Sequence, residues 1–433
     1  ATQFTLNVRK GVTWDDGSEL TAEDVARNIA GWCEKDVEGN SMAGRMNSLI
    51  DPDTNKAREG AIQVVDSHTV LLTSPTPDIT IMVGMADYPA AIIPADLNPD
   101  DVINSQGTGP FKLVELEVGV KARLERKPDH TWWGTEVFGG PYLDAIEYID
   151  YGTDPAAWLA AIESEEVDVL YESVGEFIDV FDSLDLEKHE VVTGATMVIR
   201  SNHEAEIEGK KIYADKRVRQ AFALAVDNSV VLELGYGNRG VVAENHHVAP
   251  VHPEYAEIGA PEYNPEKAAA LMAEAGLADF EHELISIDDD WRKNSTDAAA
   301  AQMRDAGLNI KRTVLPGSTF WNDWAKYPFS STSWNHRPLG VQVLALAYRT
   351  GEAWNESAYS NPEFDAKLNE ALAIADADAR REVMKDVQSI LRDDGVIIQP
   401  YWRSLFNHAR PGQIDTGIHI SFEHHHYKWA FSA

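Results

Sequence analysis

The sequence predicts an α/β protein of two lobes, and three observations point there. A chain of 433 residues exceeds what one hydrophobic core organises. Hydrophobic residues make up 44% of it, with 12 Trp and 14 Tyr, enough to fill sizeable cores. Strand signals of period two alternate with capped helical segments along the whole length, without internal repeats or low-complexity stretches.

Phe4, Leu6 and Val8 alternate with Thr5, Asn7 and Arg9, so one face of a first strand is apolar. Asp15, Asp16 and Gly17 supply a turn. Thr21 is a good N-cap, and Asp24 places a carboxylate where a helix N-terminus favours it. Residues 61–65 and 69–73 flank Asp66-Ser67-His68 and predict a hairpin. Gly107-Thr-Gly-Pro-Phe-Lys112 leads into alternating residues 113–117, followed by 121–126. Asp154-Pro155 opens a helix with Trp158, Leu159 and Ile162 as its apolar stripe, and 167–170 reads as a short strand. Asp215 caps a helix in which Val218, Phe222 and Ala225 share a face. Asn264-Pro265 and Asn361-Pro362 open two more, the first stopping at Gly276. A strand over 309–315, a helix over 378–391 and a strand over 396–402 complete the pattern.

These units divide the chain into an extra subdomain over 1–112, a first-lobe core over 113–204, a second lobe over 205–400 and a return over 401–433. Crossings near 200–205 and 400–405 would act as a hinge, letting the lobes close over a small molecule.

The net charge is −34, from 71 acidic and 37 basic residues. Such a field repels phosphates and anionic membrane surfaces, so nucleic acid is not an expected partner. Cys33 is the single cysteine, which rules out an intrachain disulfide. No apolar window reaches the roughly 20 residues of a membrane span. The nearest, 79–95, is broken by Asp87, Pro89 and Pro94. Neither a nucleophile elbow, a P-loop nor a dinucleotide fingerprint occurs, and the acidic pairs Asp15-Asp16, Glu165-Glu166 and Asp393-Asp394 are adjacent, as turn and surface residues are. No catalytic residue and no cofactor is therefore expected.

The string Arg9-Lys-Gly-Val-x-Trp14-x-Asp-Gly17-x-x-Leu-Thr21-Ala-Glu-Asp-Val25 resembles the signature of the peptide- and nickel-type family (family 5) of extracytoplasmic solute-binding proteins of ABC importers. Gly107-Thr-Gly-Pro-Phe111 and Asp215-Lys-Arg-Val-Arg219-Gln-Ala-Phe222 are similar to two further blocks of that family. The resemblance implies a periplasmic-binding-protein fold of cluster C type, with a hinge, and a monomer that passes a peptide or other small polar solute to membrane permease subunits. It implies no chemistry on that solute. Residence is then periplasmic or lipid-anchored outside the cytoplasm. Because a signal and several tens of residues normally precede the opening motif, the chain is expected to lack its N-terminal segment.

The candidate pocket centres on Trp334-Asn335-His336-Arg337. Dipeptide-binding relatives carry, three residues after this tryptophan, an aspartate that holds the ligand's ammonium, and here that place is Arg337. A guanidinium fork suits carboxylate, sulfate or phosphate, so the ligand is expected to carry an acidic group. The alternative is an ion pair with a nearby carboxylate. Trp334 and Trp354 are the expected stacking surfaces among Trp321, Trp324, Trp334, Tyr348 and Trp354. Asn335, His336 and Asn355 would hydrogen-bond, and Tyr401 and Arg403 stand at the hinge return. Besides a peptide, an opine-like conjugate, an acidic oligosaccharide or a nickel chelate remains open, and a hydrolase is the competing class. His246-His247 and His424-His425-His426 invite a metal, but neighbours on a strand point to opposite faces, so no metal ligand is expected there.

Overall fold

The computed structural model describes residues 2–128 and 130–432. They form two compact units, the first comprising Ala1–Tyr171, Asp185–His189 and Asn407–Ala433, the second Glu172–Leu184 and Glu190–Phe406.

In the first unit β1 (Gln3–Asn7), β2 (Ile62–Asp66) and β3 (Thr69–Thr73) make an antiparallel sheet with β3 in the centre. Phe4, Leu6 and Val8 pack on a core that includes Ile29, Cys33, Met46, Leu49, Val70 and Leu72. The period-two pattern decides this, because a strand half buried on one face must be apolar at alternate residues. The turn at Gly17 uses a φ of +84°, open to glycine without strain. Helix α1 (Ala22–Trp32) starts where the Asp24 carboxylate accepts the Thr21 amide at 3.1 Å. A second sheet consists of β4 (Phe111–Glu117), β5 (Lys121–Arg126) and β6 (Ala145–Ile149). Asp154 caps α2 (Pro155–Glu163) by accepting the Ala156 amide. The strand expected over 167–170 is reduced to a single bridge, Val169 to Ala409.

The second unit is built on a mixed sheet. Its strands are β7 (Glu187–Ser201), β8 (Gly240–Val242), β9 (His282–Ile287), β10 (Ile310–Leu315), β11 (Phe329–Trp334), β12 (Ile397–Ile398) and β13 (Tyr401–Ala409). The order is β8-β13-β7-β11-β9-β10, with β12 also on β7. β9 runs parallel to both β10 and β11, whereas β11 is antiparallel to β7, Trp334 lying opposite Thr196.

Helices α3 (Lys216–Leu224), α4 (Asn228–Tyr236), α5 (Pro265–Glu274), α6 (Asp290–Asp305), α7 (Gly340–Ala347), α8 (Pro362–Leu372) and α9 (Ala377–Asp393) belong to this unit. Side-chain oxygens of Asp215, Asn264 and Asn361 accept amides of the first turn, which ends the search of those orphan donors for partners. The strand expected over 396–402 is interrupted at Gln399-Pro400. The Gln399 amide is diverted to Asn245 Oδ1 at 2.8 Å, and proline has no amide to donate.

The units divide at 171/172, 184/185, 189/190 and 406/407. Residues 196–201 of β7 are hydrogen-bonded to β11, which ties them to the second unit.

Candidate functional site

The site is built around the carboxyl end of β11. Ser331 and Thr332 are buried there, and the strand can carry these hydroxyls because each finds a partner, Ser331 Oγ lying 2.7 Å from Thr296 Oγ1. Thr332 Oγ1 donates to Glu356 at 2.6 Å. Glu356 is only 2% exposed, and it also accepts Trp334 Nε1–H at 2.8 Å and Arg200 Nε–H at 2.9 Å. Arg200, equally buried, donates in addition to the carbonyls of Tyr327 and Trp324, each at 2.6 Å. A buried carboxylate is tolerable only with such compensation. The group therefore fixes the Trp334 indole plane and ties the loops at 324–327 and 354–357 to the strand.

On this support the indoles pack edge to face. Trp334 lies 5.8 Å from Trp354 and 6.5 Å from Trp324, and the His247 ring meets Trp334 at 5.5 Å. Trp334 is 5% exposed, while Trp354 is half-buried and presents part of its ring outward.

The next residues turn sharply before α7. Asn335 is exposed. His336 is buried, its Nδ1 accepting the Gly194 amide at 3.1 Å and its ring stacked on His252 at 5.4 Å. His252 donates Nε2–H to the Arg337 carbonyl at 2.9 Å and accepts the Ala249 amide on Nδ1, so its tautomer is fixed. Arg337 is 4% exposed, and its Nη1 donates to the carbonyls of Asn335 and His336 at 3.2 and 3.1 Å. Burial first, then the positive field of His252 and Arg337, pushes the His247 imidazole down to about 3. His247 is thus neutral beside a guanidinium.

Trp334, Asn335, His336, Arg337 and Trp354 stand together in this region. Asn355 is occupied: its Nδ2 donates to the Arg349 and Tyr359 carbonyls, and its Oδ1 accepts the Tyr359 amide and the Ser357 hydroxyl. An amide so used braces its own loop. Tyr401 is 0% exposed, its hydroxyl 2.6 Å from Ser295 Oγ and its ring stacked on Tyr236. Arg403 is buried as well, paired with Glu172 at 2.5 Å and lying 4.1 Å over the Trp291 ring; burial alone would lower its pKa, but the charge of Glu172 and then Tyr236 turns the net shift upward. Glu356, Arg200, His252 and Gly194 complete the site without having been singled out from sequence, and with them stands His247, which the sequence offered only as half of a histidine pair. Only Glu356 carried a local signal, standing in the same Trp-Asn-Glu-Ser segment as Trp354.

The profile of the bacterial extracellular solute-binding proteins, family 5 Middle, matches residues 1–355. A probable peptide ABC transporter periplasmic-binding protein of Sinorhizobium fredii is 24% identical over 424 residues, 90% of this chain and 76% of its own. Among solved structures, AgaA from A. tumefaciens R10, in complex with agropinic acid, has a TM-score of 0.83 at 20% identity, covering 100% of this chain and 87% of AgaA. NikA from Staphylococcus aureus, in complex with Ni(L-His)2, has a TM-score of 0.81 at 17% identity, covering 97% and 86%. These likenesses establish the two-lobed α/β fold of the periplasmic binding proteins, as expected from sequence. Among the described residues no helix is long and apolar enough to cross a membrane. The chain belongs to the bacterial extracellular solute-binding proteins, family 5, which serve ABC importers.

Proposed function

We propose that the chain captures a small polar solute with an acidic group, peptide or peptide-like, and delivers it unchanged to membrane permease subunits. The observation that carries this is Arg337 in the turn between β11 and α7, together with the contact of Trp334, at the carboxyl end of β11, with Trp354 of the loop after α7. Ligands of open α/β sheets gather at the carboxyl ends of strands. A guanidinium there favours an anion bidentately, and the outward part of Trp354 supplies a stacking face. Trp334 and Glu356 set the angle of that face, Asn335 is exposed enough to hydrogen-bond, and His336 holds the backbone from below. The peptide reading follows the Sinorhizobium relative. A non-peptide solute is the second reading, favoured by the likeness to AgaA with agropinic acid and to NikA with its nickel–histidine chelate. The protein acts as a monomer outside the cytoplasm, periplasmic or lipid-anchored, and its charge of −34 keeps nucleic acid away.

The test is a thermal-shift screen against acidic peptides, amino-acid conjugates, acidic oligosaccharides and chelated nickel, with recovered ligand identified by mass spectrometry. A ligand that binds only the native state raises the melting temperature with concentration. Acidic solutes are expected to give that shift, and Arg337→Ala to weaken binding about tenfold or more, the order expected for a lost charge-assisted contact. Unchanged affinity in Arg337→Ala removes the arginine from the site. A ligand returned chemically altered replaces capture by catalysis.

A further inference from the structure

The C-terminal segment of the first unit holds a set of donors that solute capture in the second unit does not use. The Phe422 amide donates to the His419 carbonyl at 3.0 Å and closes a turn in which Phe422 takes a φ of +59°. A phenylalanine in the left-handed region is held there by its surroundings, here a ring stacked at 5.6 Å on Tyr171. The turn folds the chain back so that His419 faces Glu423 and His425. One ligand atom from each of the three lies within 4.8 Å of the others. His425 Nε2 stands 3.6 Å from Glu423 Oε2. Two donors of a tetrahedral site with bonds of about 2.1 Å stand about 3.4 Å apart, so this pair needs only a small adjustment.

His424 and His426 point the other way. They stack on each other at 5.7 Å, and His426 Nε2 is hydrogen-bonded to the Tyr148 hydroxyl at 2.6 Å. Alternation along an extended segment thus separates His425 from its two neighbours and leaves it to pair with His419, six residues back, whose ring centroid is 5.1 Å away.

We propose that His419, Glu423 and His425 form a binding site for a divalent transition-metal cation. Two imidazoles and a carboxylate suit zinc or nickel and disfavour magnesium and calcium, which prefer oxygen ligands. Three protein donors leave further coordination positions to water or an outside chelator. An outer shell is present, because Ser421 Oγ lies 3.2 Å from His419 Nδ1 and 3.4 Å from Glu423 Oε1. The Ser421 amide also points at His419 Nδ1 from 3.3 Å. Metal on Nε2 therefore requires Nδ1–H to donate to the Ser421 hydroxyl instead. Lys428 and Glu423 both act electrostatically on His425. Lys428 opposes a cation, and the Glu423 carboxylate offsets it.

The site stands on the first unit alone and is independent of the solute reading. The experiment is calorimetric titration of the tag-free protein with ZnCl2 and NiCl2 at pH 7.5 in a non-coordinating buffer, with MgCl2 and CaCl2 in parallel. One zinc or nickel ion per chain is expected, with little response to magnesium or calcium. His419→Ala, His425→Ala and Glu423→Gln should each weaken binding about tenfold or more. His424→Ala, with the same melting curve in chelator, should leave it within about threefold. No saturable binding of either metal below about 1 mM, or an equal loss in His424→Ala, overturns the site.

Discussion

Replacing Glu356 by alanine takes one acceptor from three donors at once. Arg200, almost wholly enclosed, keeps the Tyr327 and Trp324 carbonyls but loses its counter-charge, while Thr332 Oγ1 and Trp334 Nε1 lose their partner. Breaking one side of a buried ion pair costs about 3–5 kcal/mol, mostly because the remaining charge stays out of water. The two lost neutral donors belong to the same network and do not add fully, so about 4 kcal/mol is the expected total. For a domain of this size each kcal/mol lowers the melting temperature by about 2–4 °C, which predicts a fall of about 8–16 °C in the transition of the second unit. Differential scanning calorimetry reads it, with tryptophan emission reporting release of the Trp324, Trp334 and Trp354 cluster. Arg200→Met combined with Glu356→Leu should recover most of the loss, since a buried pair is replaceable by apolar side chains of similar volume. A fall under about 3 °C in Glu356→Ala, or a double variant no more stable than the single one, would refute the reasoning.

Gly194→Ala brings a Cβ to 3.0 Å from His252 Nε2 and 3.1 Å from His336 Nδ1, so it should cost about 1–3 kcal/mol and shift the turn before Arg337; a melting temperature and solute affinity equal to wild type would contradict this. The buried imidazoles His203 and His247 are pushed down to about 3, and His252 and His282 to about 4, chiefly by desolvation. A folded pKa below the unfolded one makes the unfolded state bind the proton first. Stability is then complete above about pH 6.5 and falls from there toward the folded values, by about 2 kcal/mol for each histidine at pH 5; a melting temperature of the second unit that is flat from pH 7.5 to 5 would rule it out. Cys33 is fully buried and its thiol is raised to about 12, so a thiol reagent should label it only on unfolding, and rapid labelling of the native protein would show that the first core is open.

Local pattern carried far where a physical rule acts over a few residues. Caps at Asp215, Asn264 and Asn361 placed three helix starts to the residue, since a side-chain oxygen satisfying first-turn amides is a local event. The hairpin around Asp66-Ser67-His68 and the strands after Gly109 were equally readable. β7 was not, although it is 15 residues long. It carries Thr193, Thr196, Arg200 and Ser201 buried among its apolar residues, so the alternation that marks a half-exposed strand is absent.

The sequence by itself determined the α/β alternation, the caps, the opening motif with its family resemblance, and the tryptophan and arginine around 334–337. Tertiary structure alone decided which of these side chains share a site. Asn355 and Tyr401 are the right kinds of residue for a ligand contact, yet the loop and the core consume their hydrogen bonds. Glu356 reaches Arg200 across 156 residues of sequence, and His425 finds His419 only because a turn reverses the chain between them. Helix caps and strand alternation depend on neighbours a few residues away, whereas burial and pairing depend on which distant segments the core brings together, and no spacing in the chain encodes that.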